Sequence, residues 1–186
     1  QAELFGAPGC GFLRGGEYRA GDTWTMVADA CSTWVERSLP ERVAATGADV
    51  VVLITTVWDV LDHRWDAGAG LTPDSPEMRA RLVFDFTRVT QELLAGGAKS
   101  VVWVKAPIPD PFWLPRADVQ EEPARHKALH EVMDLVAADH PGQVHIIDLL
   151  GYFDDNDLTL DRETRPDGIH VDPEVAERIA TDHFGD

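Results

Sequence analysis

Three short stretches of the chain are apolar almost without interruption and rich in β-branched residues: Asp49 to Thr55 (DVVVLIT), Ser100 to Lys105 (SVVWVK) and Gln143 to Leu149 (QVHIIDL). A strand covered on both faces has no polar side to show, so these stretches predict buried parallel strands. Between them apolar residues recur at helical spacing. Pro76 to Ala95 carries Leu82, Phe86, Val89 and Leu93 on one face, and Pro123 to Asp139 carries Leu129, Val132 and Val136. Two further helices are predicted: Thr33 to Thr46, broken or restarted at Pro40, and Pro173 to Phe184. Strand and helix in alternation predict a three-layer α/β/α fold with a parallel sheet. At 186 residues and 44% hydrophobic composition the chain fits one domain over 1–186, with one substantial core.

In parallel sheets functional groups gather outside the carboxyl ends of the strands. Here those ends run into Thr56-Val57-Trp58-Asp59, into Ala106-Pro107-Ile108-Pro109-Asp110-Pro111-Phe112-Trp113, and through an acidic loop to Asp167 and His170. The rim so formed is predicted to hold Trp58, Asp59, Trp113, Asp167 and His170. Within Arg165-Pro166-Asp167-Gly168-Ile169-His170 a carboxylate and an imidazole stand three residues apart before a helix. That is the acid and base half of a nucleophile triad, because an imidazole can take a hydroxyl proton on one nitrogen when an acceptor holds the other. The serines are Ser32, Ser38, Ser75 and Ser100, and none ends a strand in a glycine-lined elbow.

The charge narrows the partners. With 33 acidic against 16 basic residues the net charge is -17, which repels phosphate backbones and anionic lipid surfaces, so nucleic acid is excluded. No apolar run reaches the roughly 20 residues of a membrane span, and no signal peptide is visible at the start, so direct membrane insertion is not expected. Cys10 and Cys31 lie in a glycine-rich segment that allows either a disulfide or two buried thiols. An extracytoplasmic location follows only if they are bonded.

These residues resemble the SGNH (GDSL-type) esterase and acetyltransferase superfamily, particularly the SGNH domains appended to membrane sugar O-acyltransferases, over most of the chain. Asp167-Gly168-Ile169-His170 matches the last block of that family. The resemblance implies a flavodoxin-like fold with His170 as general base and Asp167 as its orienting carboxylate. Ala7-Pro8-Gly9-Cys10-Gly11 resembles the second block, whose glycine supplies an oxyanion N–H; Gly9 is the first choice and Gly11 the second. Thr56-Val57-Trp58-Asp59 stands at the third block, with Trp58 where the family has an asparagine donor. The Trp58-Asp59 pair, and Cys10 with Cys31-Ser32-Thr33-Trp34, resemble the appended domains.

The resemblance further implies an acyl-enzyme cycle without metal or organic cofactor, an acylated carbohydrate or small ester as substrate, and a membrane acyltransferase domain as partner. Asp59 and Trp113 are the candidate substrate contacts, although for Asp59 a structural role, capping the next segment, is the preferred reading. The family's first block, Gly-Asp-Ser after the first strand, is missing; Gly21-Asp22-Thr23 mimics it, but Tyr18-Arg19-Ala20 before it reads as a poor strand. The strand and helix of that block are therefore expected upstream of Gln1, with Gln1 to Phe5 as the tail of the second strand. A catalytically inactive domain of the same fold, binding glycan or a protein, is the alternative.

Other clusters have plainer readings. His126 and His130 share a helical face and lack a third metal ligand, so a solvated face is expected. Asp154-Asp155-Asn156-Asp157 lacks the turn glycine and closing glutamate of a calcium loop and reads as acidic solvent-facing chain. His63, after Asp62, has two readings, a surface ion pair with neighbouring acids and a substrate contact, and the ion pair is the one expected. Trp58, Trp65, Phe112 and Trp113 are expected either to wall a substrate or to pack loops over the sheet.

Overall fold

The computed structural model describes residues 3–55, 57–113 and 118–184. In chain order its elements are β1 (Glu17–Ala20), β2 (Thr23–Met26), α1 (Asp29–Thr33), a π-helical turn (Trp34–Ser38), α2 (Leu39–Thr46), β3 (Val50–Ile54), a 3-10 turn (Val57–Val60), β4 (His63–Arg64), α3 (Pro76–Ala95), β5 (Ser100–Val104), a 3-10 turn (Val119–Glu121), α4 (Pro123–Asp139), β6 (Val144–Ile147), α5 (Leu149–Asp155) and α6 (Pro173–Phe184). The fold is mixed α/β. The three apolar stretches form one parallel sheet in the order β3-β5-β6, with Val52 beside Val102 and Val102 beside His145.

Side chains on one face of this sheet join α3 and α4, which pack on each other and on β5 and β6 respectively. Trp103 is fully buried there, stacked on Phe86 at 4.5 Å, and its indole N–H donates to Thr90 Oγ1 at 3.1 Å. The pleat sends alternate residues to the other face. On β5 that face is closed, with Val102 and Val104 buried, whereas on β3 Val50, Val52 and Ile54 are 54%, 53% and 59% exposed. Among the described residues β5 is the only strand paired with β3, so β3 has an open edge and an open apolar face together.

The helices α3, α4 and α6 span their predicted residues. Ser75 caps α3 by accepting the Met78 N–H, with Pro76 in the first turn where its missing donor costs nothing. The first helical region begins earlier than predicted, at Asp29, and runs through Pro40 by widening to a π turn immediately before it. The proline ring crowds the carbonyl four residues back, and a wider turn relieves that contact.

Four expectations are corrected. Tyr18-Arg19-Ala20 does form a strand: β1 pairs antiparallel with β2 and β4 in a second small sheet. Glu3 to Phe5 is not in a strand, and Gln1 and Ala2 lie outside the described residues. Part of the acidic run, Asp154 and Asp155, ends helix α5 instead of lying in a loop. His126 and His130 face the interior, 6% and 7% exposed, because α4 is packed on more than one side.

Candidate functional site

The turn after residue 164 is built by two stitched loops. Asp110 N–H donates to the Gly168 carbonyl at 2.8 Å, and the fully buried Arg165 guanidinium donates from Nη1 to the carbonyls of Ile108 (2.9 Å) and Thr159 (2.8 Å). Arg162 adds an ion pair to Asp110. The loop leaving β5 thus fixes the position of the chain that carries Asp167 and His170. Gly168 is required here: its φ is +81°, and a Cβ would run into the Asp110 carbonyl. Asp172 then caps α6, accepting the N–H groups of Glu174 and Val175.

On this turn Asp167 uses both oxygens. Its Oδ1 accepts the N–H groups of Ile169 (2.8 Å) and His170 (2.7 Å), and its Oδ2 accepts from His170 Nδ1 at 2.6 Å. The His170 hydrogen bond, helped by the two backbone donors, lowers the Asp167 carboxyl to about 2. An ionised acceptor at Nδ1 selects the tautomer whose lone pair is on Nε2. The His170 side chain is 81% exposed, and Asp167 is its only hydrogen-bond partner among the described residues. The arrangement can hold a neutral imidazole ready to receive a proton.

The second- and third-block segments meet elsewhere on the rim. Asp59 is fully buried, and its Oδ1 accepts the N–H groups of Phe12 (2.8 Å) and Leu13 (3.0 Å). It lies in the interior and ties the 9–14 segment to the 57–60 turn, a structural role. Gly11 lies flat against it, since a Cβ there would sit 2.5 Å from Asp59 Oδ1. Gly9 has φ +79° with open space beside its Cα, and among the described residues no acceptor takes its N–H. Cys10 and Cys31 form a disulfide across the base of this segment.

Trp58 packs edge-on against Tyr18 at 5.2 Å, and Tyr18, His63 and Trp65 continue the row. Trp113 is 54% exposed and has Phe112 as its ring neighbour, so the expected aromatic wall is two separate groups. His63 is not in a surface ion pair: it is 2% exposed, its Nδ1 lies 3.0 Å from the Leu61 carbonyl, and burial holds its pKa below the usual value. Arg125 takes the neighbouring Asp62 instead, at 2.6 Å. Thr56 lies outside the described residues.

Gly9, Trp58, Tyr18 and His63 line a cavity of about 210 Å³. The sequence pattern gave no sign of it, because β1 and β2 lack the apolar alternation that marks a strand. The four serines are placed for other work: Ser32 in α1, Ser38 in the π turn, Ser75 as a cap and Ser100 at the amino end of β5. Among the described residues no helix is long and apolar enough to cross a membrane. No protein-family model matches the chain, and comparison with curated proteins finds no match.

Proposed function

We propose that the chain is a domain of the SGNH esterase and acetyltransferase class, three-layered and flavodoxin-like, acting on acylated carbohydrate through an acyl-enzyme. The observation that carries the reading is the Asp167–His170 pair, with Nδ1 held at 2.6 Å by a carboxylate that is itself anchored to two backbone N–H groups. His170 Nε2 takes the proton of a serine hydroxyl as its oxygen attacks the ester carbonyl. The N–H of Gly9 and the Trp58 indole receive the oxyanion, and His170 returns the proton to the leaving alcohol. A water or sugar hydroxyl then accepts the acyl group by the same steps in reverse. Neither metal nor organic cofactor enters this cycle.

The nucleophile is a serine outside these 186 residues, carried on a strand alongside β3. Supporting this are the open edge of β3 and the exposure of Val50, Val52 and Ile54, which such a strand and its helix would cover. The Cys10–Cys31 disulfide supports an extracytoplasmic setting, where a membrane acyltransferase domain is the partner. In the full-length protein a fluorophosphonate probe is expected to label one serine, and His170→Ala to slow labelling by at least about 10²-fold. Labelling that is indifferent to His170→Ala would sink the assignment. The absence of any strand-end serine favours a second reading, a catalytically inactive glycan- or protein-binding domain, which predicts no labelling at all.

A further inference from the structure

The cavity between the β1–β2 hairpin and the 57–60 turn has the aromatic rings of Tyr18 and Trp58 in its wall, with Thr25, Asp59 and His63 as polar lining residues. His63 is 2% exposed and lines it. Since a carbonyl only accepts, His63 Nδ1 carries the proton given to Leu61 O, and Nε2 carries the lone pair. Among the described residues nothing donates to that Nε2, nor do the Tyr18 hydroxyl and the Trp58 indole N–H bond to protein. An occupant that excludes water from that Nε2 without donating to it leaves it unpaired at a cost of about 1–3 kcal/mol, so an occupant that donates a hydrogen bond is favoured over one that does not. The cavity, about 210 Å³, is smaller than the roughly 300–1,000 Å³ of drug-sized sites, which limits the occupant to a single ring or short chain.

We propose that this cavity is a subsite for one hydroxyl-bearing sugar ring, with a ring hydroxyl donating to His63 Nε2 and the C–H face against Trp58 and Tyr18. An acyl chain has the size but no donor, and an anionic ring is opposed by a chain of net charge -17. A ring seated here has Gly9 at the same wall, which sets the sugar beside the oxyanion N–H of the proposed reaction; to that extent the subsite rests on the esterase reading.

The test is a two-dimensional NMR titration with methyl glycosides of glucose, galactose, mannose and N-acetylglucosamine, and with ethyl butyrate as a donor-free acyl probe. At least one glycoside is expected to shift the Trp58 indole and His63 ring signals saturably. His63→Phe, which removes the acceptor, should weaken it by at least about tenfold. Met26→Trp, at a lining position 66% exposed, should block entry without touching the interior and guards against misfolding of the His63 variant. Shifts from ethyl butyrate and from no glycoside would overturn the proposal, as would glycoside shifts that survive Met26→Trp or the absence of any shift. Fluorophosphonate labelling reads the other hypothesis separately: sugar binding without labelling leaves the subsite standing and removes the esterase, and labelling without sugar binding does the reverse.

Discussion

Asp59 and Asp167 use their carboxylates in the same way and to different ends. Each presents one Oδ1 to two consecutive backbone N–H groups, Phe12 and Leu13 in the first case and Ile169 and His170 in the second. Asp59 does so across 46 and 47 residues of sequence from a fully buried position, so its bonds join separate segments and have no water to replace them. Asp167 does so within three residues on a turn where its side chain is 33% exposed, so the same bonds are local and water competes for them. Its remaining Oδ2 is left for an imidazole. A capped turn that still offers an oxygen can orient a neighbouring ring, and a buried staple is a structural joint, although both read as Asp in a loop.

The largest way to break this contrast is Asp59→Ala. Two buried N–H groups lose their acceptor at about 1–3 kcal/mol each. For a domain of this size that lowers the melting temperature by roughly 5–20 °C. Asp167→Ala in the same calorimetric experiment should cost about 1 kcal/mol, the worth of a lost cap. Equal losses at the two positions would collapse the distinction.

Next in size is the disulfide, which closes the loop leading into the Asp59 joint with a sequence separation of 21. Reducing it, or replacing both cysteines by serine, should cost about 3 kcal/mol. Combined with Asp59→Ala the losses should fall short of additive, because both act on the 9–14 segment. Full additivity, measured by chemical denaturation, would mean that the joint and the bridge are independent.

Acid separates the two regions by pH window. Burial holds His63 and His126 below the ordinary imidazole value and His130 at about 4. The unfolded chain binds these protons near pH 6.5, before the folded one, so stability is complete above that pH and falls as pH drops from about 6.5 towards 4. His130 alone accounts for up to roughly 3 kcal/mol of this loss, and His130→Leu should flatten that limb. Asp167, lowered to about 2, has the same sign in a lower window: its contribution is present above about pH 4 and is lost as pH falls towards 2. Acid unfolding followed by circular dichroism should show the buried imidazoles failing first.

The central architecture was legible because it is written in periodicity. DVVVLIT, SVVWVK and QVHIIDL form the parallel sheet, although only SVVWVK is buried on both faces, and the stripes of α3 and α4 face the same core. The hairpin was not legible: Glu17–Ala20 and Thr23–Met26 are largely exposed, so no apolar alternation marks them, and the pairing is set by backbone bonds and by Gly21 at φ +59°. His63 and His126 were misplaced for a related reason, since a histidine is buried by donating to a carbonyl, Leu61 O or Gln120 O here, and such partners leave no trace in sequence. The Asp167–His170 pair was readable because both members sit on one turn.

The smallest effect on stability is the most telling about the site. Asp167→Asn keeps the size and an oxygen for the two backbone donors, so stability should change by less than about 1 kcal/mol. At the imidazole the change is one of kind. If the amide keeps its oxygen on the Ile169 and His170 N–H groups, its NH₂ faces Nδ1, which must then accept, and the proton moves to Nε2. His170 would present a donor where general-base chemistry needs a lone pair. Long-range nitrogen–proton NMR should report the Nε2–H tautomer in Asp167→Asn and the Nδ1–H tautomer in the parent chain. An unchanged tautomer would mean that the carboxylate fixes where the ring sits and has no hand in which nitrogen takes the proton.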